Sequence, residues 1–144
     1  MRQAWLILSL LATIFLLSGC SSQGADITIS DAWARPGFTG ANSAVYFEIE
    51  NKSEKDDALL SAQASVAELV ELHESKMDSN GMMKMQKQDR VNAPQNKRVT
   101  FQPGGLHVML VNLTQDLKVG DRFKLTLTFE NAGEIKVDVE VRQP

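Results

Sequence analysis

"RFKLTLTFENAGEIKVDVEV", residues 122–141, is the stretch on which the fold turns. Phe123, Leu125, Leu127 and Phe129 alternate with Lys124, Thr126 and Thr128; after a break, Ile135, Val137, Val139 and Val141 alternate with Lys136, Asp138 and Glu140. A repeat of two sends one row of side chains into a core and the other into water, as in a strand covering a core on one face. Asn131-Ala132-Gly133 between the two runs has the chemistry of a tight turn. The spacing predicts an antiparallel hairpin.

Upstream, shorter runs of the same kind predict strands at 27–35, 43–50, 58–65, 67–74, 82–87, 98–102 and 106–113. Turn formers separate them: Pro36-Gly37, Asn51-Lys52-Ser53, Asn80-Gly81, Pro94, Pro103-Gly104-Gly105 and Gly120-Asp121. Residues 58–72, rich in alanine, leucine and glutamate, also suit a helix. About eight or nine short strands predict one all-β domain over residues 26–144, a sandwich or Greek-key barrel.

Ahead of that domain, residues 1–19 read as a secretory signal: Arg2, an apolar run from Trp5 to Leu17, then small residues. The run is short for a membrane span. Leu17-Ser18-Gly19-Cys20 resembles the bacterial lipobox, where cleavage before the cysteine accompanies attachment of a diacylglyceryl group. Cys20, the one cysteine of the chain, is therefore expected to carry a lipid anchor, with residues 20–25 as its tether and no disulfide inside the domain. Ser21 in place of aspartate resembles outer-membrane sorting, so the expected location is the periplasmic side of a bacterial envelope. Losing Arg2 with the signal leaves 14 of the 15 basic residues against 18 acidic ones, a formal charge of −4. A mildly acidic chain with dispersed charge is a poor partner for nucleic acid.

The chemistry is concentrated in "HESKMDSNGMMKM", residues 73–85, which holds one of the two histidines and four of the six methionines. The other histidine stands in "GGLHVML", two residues before Met109. On a strand His107 and Met109 project from the same face, their Cα atoms about 6.5 to 7 Å apart, so both side chains can converge on one ion. Met83 and Met85 share a face of the returning strand, Met77 falls in the intervening loop, and Met82 is read as packing. His73, next to an inward Leu72, points to the opposite face or the rim. Thioether and imidazole donors without thiolate or carboxylate select a soft monovalent ion, Cu(I). Ca²⁺ and Mg²⁺ need clustered oxygen donors, structural zinc needs more cysteine or histidine, and blue copper needs a thiolate. Taken singly, each methionine is also an ordinary filler of core gaps, and an exposed group of them is an apolar docking patch. A hydrolase would need a nucleophile beside a base, and two histidines engaged by metal leave no base.

The order His73, Met85, His107, Met109 resembles the signature H-x10-M-x21-H-x-M of the periplasmic copper chaperone family PCu(A)C. Met85 and His107 are separated by twenty-one residues, and Met109 follows after one. "DAWAR", "NSAVYFEIENKS", "VELHE", "NGMMKM", "PGGLHVML" and the closing hairpin are similar to that family's blocks, so the resemblance spans residues 26–142. It implies a cupredoxin-like β-sandwich that is not an enzyme. It implies Cu(I) held by His73, Met85, His107 and Met109, with Met77 and Met83 as auxiliary donors. It further implies delivery to a copper-accepting protein such as a cytochrome oxidase subunit or a Sco-type protein. Eleven residues separate His73 from Met85, one more than the pattern. An insertion absorbed in the Asp78–Gly81 turn keeps Met85 as the donor, whereas a shifted strand substitutes Met82 or Met83. Storage or detoxification of copper on the same site, and a metal-free envelope interaction module, are the alternative functions.

Overall fold

The structure is a computed structural model that describes residues 26–143; the expected signal, Cys20 and the tether lie outside the described residues. Ten strands follow one another: β1 (Ile27–Ala34), β2 (Ser43–Asn51), β3 (Asp57–Gln63), β4 (Ala67–Met77), β5 (Met83–Lys87), β6 (Val91–Ala93), β7 (Lys97–Phe101), β8 (Leu106–Leu113), β9 (Arg122–Phe129) and β10 (Gly133–Val141). Among the described residues there is no helix. The strands hydrogen-bond in the order β5-β4-β8-β7-β2-β1-β10-β9-β3-β6, with β8 also pairing β2. The sheet curls over itself, bringing β3 against β4 and β6 against β2 and β7.

The β9–β10 hairpin forms as its alternation requires, paired from Gly133–Phe129 to Glu140–Arg122. Leu125, Leu127, Phe129, Val139 and Val141 are buried. They share one core with Val45, Phe47 and Ile49 of β2 and Val108 and Leu110 of β8. Phe47 stacks on Phe101 of β7 with ring centroids 4.4 Å apart.

The strand expected at 58–65 forms as β3, and the helix that the composition also suits does not: β3 pairs with β9 on one side and β6 on the other. A register shift between Leu59 and Ser61 breaks its alternation, so Leu59 and Ala62, three residues apart, are both buried while Leu60 and Ser61 are exposed. That bulge is why the pattern there reads ambiguously. The tenth strand, β6, is three residues long and too short for a periodic signal. It is held by Asn51, whose buried amide donates to Ala93 O (2.8 Å) and Lys55 O (2.9 Å).

Phe47→Ala removes a fully buried, stacked ring and is expected to destabilise the domain by about 3–5 kcal/mol. Urea unfolding checks this as a lower midpoint at an unchanged slope.

Candidate metal centre

The inward row of β4 includes the buried Leu72, so Glu71, His73, Ser75 and Met77 project from the outer face. The inward row of β8 holds Val108 and Leu110, which turns His107 and Met109 outward as well. Register then does the assembling. His73 lies directly opposite His107, and Glu71 opposite Met109. On the other side of β4, Ser75 lies opposite Met85 and Met77 opposite Met83. The two imidazole rings are 5.9 Å apart between centroids, tilted by 42°. Met85, His107 and Met109 line a cavity of about 480 Å³ together with Arg35, Tyr46 and Ser75.

Each ring has one nitrogen occupied within the fold. His107 Nδ1 is 3.0 Å from Gly105 O, and because a carbonyl only accepts, Nδ1 carries the proton and Nε2 keeps its lone pair. His73 Nε2 is 2.9 Å from Glu71 Oε2, so it donates to the carboxylate and its Nδ1 keeps the lone pair. That Nδ1 is buried with no hydrogen-bond partner. The Lys87 ammonium at 2.6 Å from Glu71 Oε1, and then the His73 ring, hold the Glu71 carboxyl below the usual carboxylate range, which keeps it an acceptor. A buried acceptor without a partner is costly in a folded protein and is a common mark of an absent ligand. Imidazoles that donate one N–H to a carboxylate or carbonyl and present the other nitrogen are the usual form of metal-binding histidine.

Burial lowers the His107 pKa below its ordinary 6.5, with smaller contributions from the positive charge of Arg35 and from His73; the Gly105 carbonyl opposes the shift. The ring is 4% exposed and lies 6.4 Å from the Tyr46 ring, over which the Arg35 guanidinium sits at 5.7 Å. Among the described residues no three His, Cys, Asp or Glu side chains gather where they could hold a metal. A larger cleft of about 930 Å³ between the 52–57 loop and the β9–β10 turn contains neither histidine nor methionine. Its Asp57 carboxylate is already engaged by three backbone N–H groups.

The structure thus gathers His73, His107, Met85 and Met109 on one outer face near the β5 edge. Met83 lies on the same face, beyond Met85, but does not line the cavity. Met77 is the last residue of β4 and not a loop residue, because pairing with Met83 extends the strand. Met82 does not pack in the core; it is 59% exposed, and its N–H donates to Asp78 Oδ1 at the turn. Sequence reasoning missed Glu71, the Gly105 carbonyl, Arg35 and Tyr46. Only Glu71, two positions from His73 and so on the same face, had a readable signal.

A cluster of imidazole and thioether side chains thus lies on the outer face of a curled all-β sheet of cupredoxin-like architecture. Residues 27–141 match the LpqE-like family, a family of PCuAC type named for a lipoprotein, and the chain belongs to it. It is 31% identical over 133 residues to protein RP573 of Rickettsia prowazekii (strain Madrid E), covering 84% of this chain and 73% of that one. The copper-bound PCuAC domain of PmoF2 superposes with a TM-score of 0.70 at 29% identity, covering 84% of this chain and 96% of that domain. Apo-DR1885 of Deinococcus radiodurans superposes with a TM-score of 0.64 at 27% identity, over 85% and 83% of the two chains. Copper is bound by the PmoF2 domain, whose fold this chain shares.

In the metal-free protein, ¹⁵N-detected NMR is expected to show His107 with its proton on Nδ1 and titrating below 6.5, the ordinary value. The unfolded chain then binds this proton first as pH falls. The ring's contribution to stability is therefore intact above 6.5 and lost as pH drops from there through the folded-state value.

Proposed function

We propose that the protein is a lipid-anchored, extracytoplasmic copper chaperone that carries Cu(I) on His73, Met85, His107 and Met109 and hands it to an acceptor. The observation that carries this reading is the pair of imidazoles on directly opposed residues, each with one nitrogen tied by an internal hydrogen bond and the other left with its lone pair. Met85 and Met109, which line the cavity with His107, add two soft, uncharged donors. Such a set favours Cu(I) over harder or more highly charged ions. Of the hairpin methionines, Met85 is preferred over Met83 because it shares the cavity with His107 and Met109.

All four donors are neutral, so the ion can leave without a thiolate or carboxylate having to be reprotonated. Half-exposed Met85 is the donor through which an acceptor's ligand can enter. The resemblance favours cytochrome oxidase copper-site assembly as the destination, with an oxidase subunit or a Sco-type protein as the acceptor. Lipidation at Cys20 and outer-membrane sorting by Ser21 would tether the domain on the periplasmic side, with residues 1–19 removed and residues 20–25 as the tether. The lipoprotein name of the family supports an envelope anchor.

Anaerobic Cu(I) titration of the mature protein against a chromophoric chelator is expected to show one tightly held ion, lost in H107A/M109A. A folded double variant that binds as well as the parent would overturn the assignment. Transfer of the ion to a copper-depleted oxidase domain separates a chaperone from a copper store. Protons compete only at imidazole, so affinity is expected to fall once pH drops below about 6.5. A flat profile down to about pH 5 would mean that thioethers alone hold the ion. E71Q replaces the carboxylate that orients His73 and is expected to weaken Cu(I) binding by about 10- to 100-fold, read in the same titration.

A further inference from the structure

The β4–β5 hairpin carries more sulfur than one four-donor site uses. Met77 and Met83 face each other across the ladder, two register steps nearer the turn than Ser75 and Met85. Gln88 N donates to Leu72 O at 2.8 Å, and Asp78 N to Met82 O at 2.8 Å, which makes 72/88 and 78/82 hydrogen-bonded pairs. The odd-numbered pairs between them, including 75/85 and 77/83, are then of the alternate kind. In such pairs the Cα atoms lie about 4.5 Å apart and the side chains approach most closely. Two flexible thioethers at that separation can grip one soft ion. Met85 is next on the same face of β5, about 6.5 to 7 Å along the strand from Met83, so its side chain can swing toward either that ion or the cavity.

Packing does not account for these residues. Met77, the last residue of β4, is 68% exposed, and Met83 and Met85, on the edge strand β5, are each 54% exposed. The adjacent ammonium groups are directed elsewhere: Lys76 and Lys84 alternate to the opposite face and are paired with Glu74 (2.8 Å) and Asp78 (3.0 Å).

We propose that Met77 and Met83, with Met85 as a shared arm, form a second, all-thioether station for Cu(I) at the tip of the hairpin, through which the ion reaches and leaves the histidine pair. The station deepens the Cu(I) reading above and rests on it. Movement between stations exchanges one neutral donor for another; copper keeps its oxidation state and no proton is taken up or released. Without imidazole the outer station binds more weakly than the inner one, which gives the transfer its direction.

The test uses Cu(I) itself, titrated anaerobically into the mature protein, with X-ray absorption reporting the sulfur and nitrogen neighbours. The parent is expected to take a second, weaker ion with sulfur neighbours only. M77L/M83L keeps side-chain volume and is expected to leave the tight ion's affinity unchanged. It should weaken the second ion by at least about 10-fold, the least that losing even an outer-shell partner costs. Uptake of the tight ion from the chelator complex should slow in the same variant. H73A/H107A should retain the sulfur-bound ion alone. A leucine variant, folded by its amide NMR spectrum, that matches the parent in second-ion binding and in uptake rate overturns the hairpin station. If instead H73A/H107A holds the tight ion as the parent does, the histidine assignment fails, and the leucine variant still decides the station.

Discussion

The site depends on one register. Antiparallel pairing of β4 with β8 sets His73 against His107 and Glu71 against Met109. In a sheet, a slip of one residue turns every side chain to the other face. Such a slip would bring Leu72 outward and drive His73 into the core. The buried row of Leu72, Val108 and Leu110 therefore places the imidazoles as firmly as any contact between the rings. Hydrophobic burial on one face supplies the precision of the polar arrangement on the other.

Around that register the fold adds hydrogen bonds that settle ring chemistry. Glu71 is held at both oxygens, by Lys87 on β5 and by His73 on its own strand. Gly105, at the turn before β8, fixes the tautomer of His107 and also accepts the N–H of Ser75 at 3.0 Å. Strand pairing and ring orientation are thereby coupled. Tyr46 and Arg35 close the far side, and the positive charge there disfavours protonation of His107.

Much of this was legible in the residues. The alternation of 122–141 foretold the hairpin, and matching parity foretold that His107 and Met109 share a face. The four-residue signature brought His73 and Met85 to the same place. What stayed hidden was non-local or too short. The three residues of β6 carry no period, and the bulge in β3 interrupts the alternation of a strand whose alanine and leucine content also suits a helix. Arg35 and Tyr46 reach the cavity only because β2 lies beside β8, a pairing between segments more than sixty residues apart. Met82 looked like filler because clustered methionines usually are, whereas its place beside the Asp78 turn leaves it in water.

The four candidate donors sit on backbone of unequal firmness, with Met109 sharing β8 with His107. The rings are carried by β4 and β8, each bonded to strands on both sides, while Met85 hangs from β5, which is bonded on one side alone. Of the four proposed donors three are thus anvil and one is latch: thermal fraying at the rim loosens the Met85 sulfur first and leaves both rings and Met109 in place.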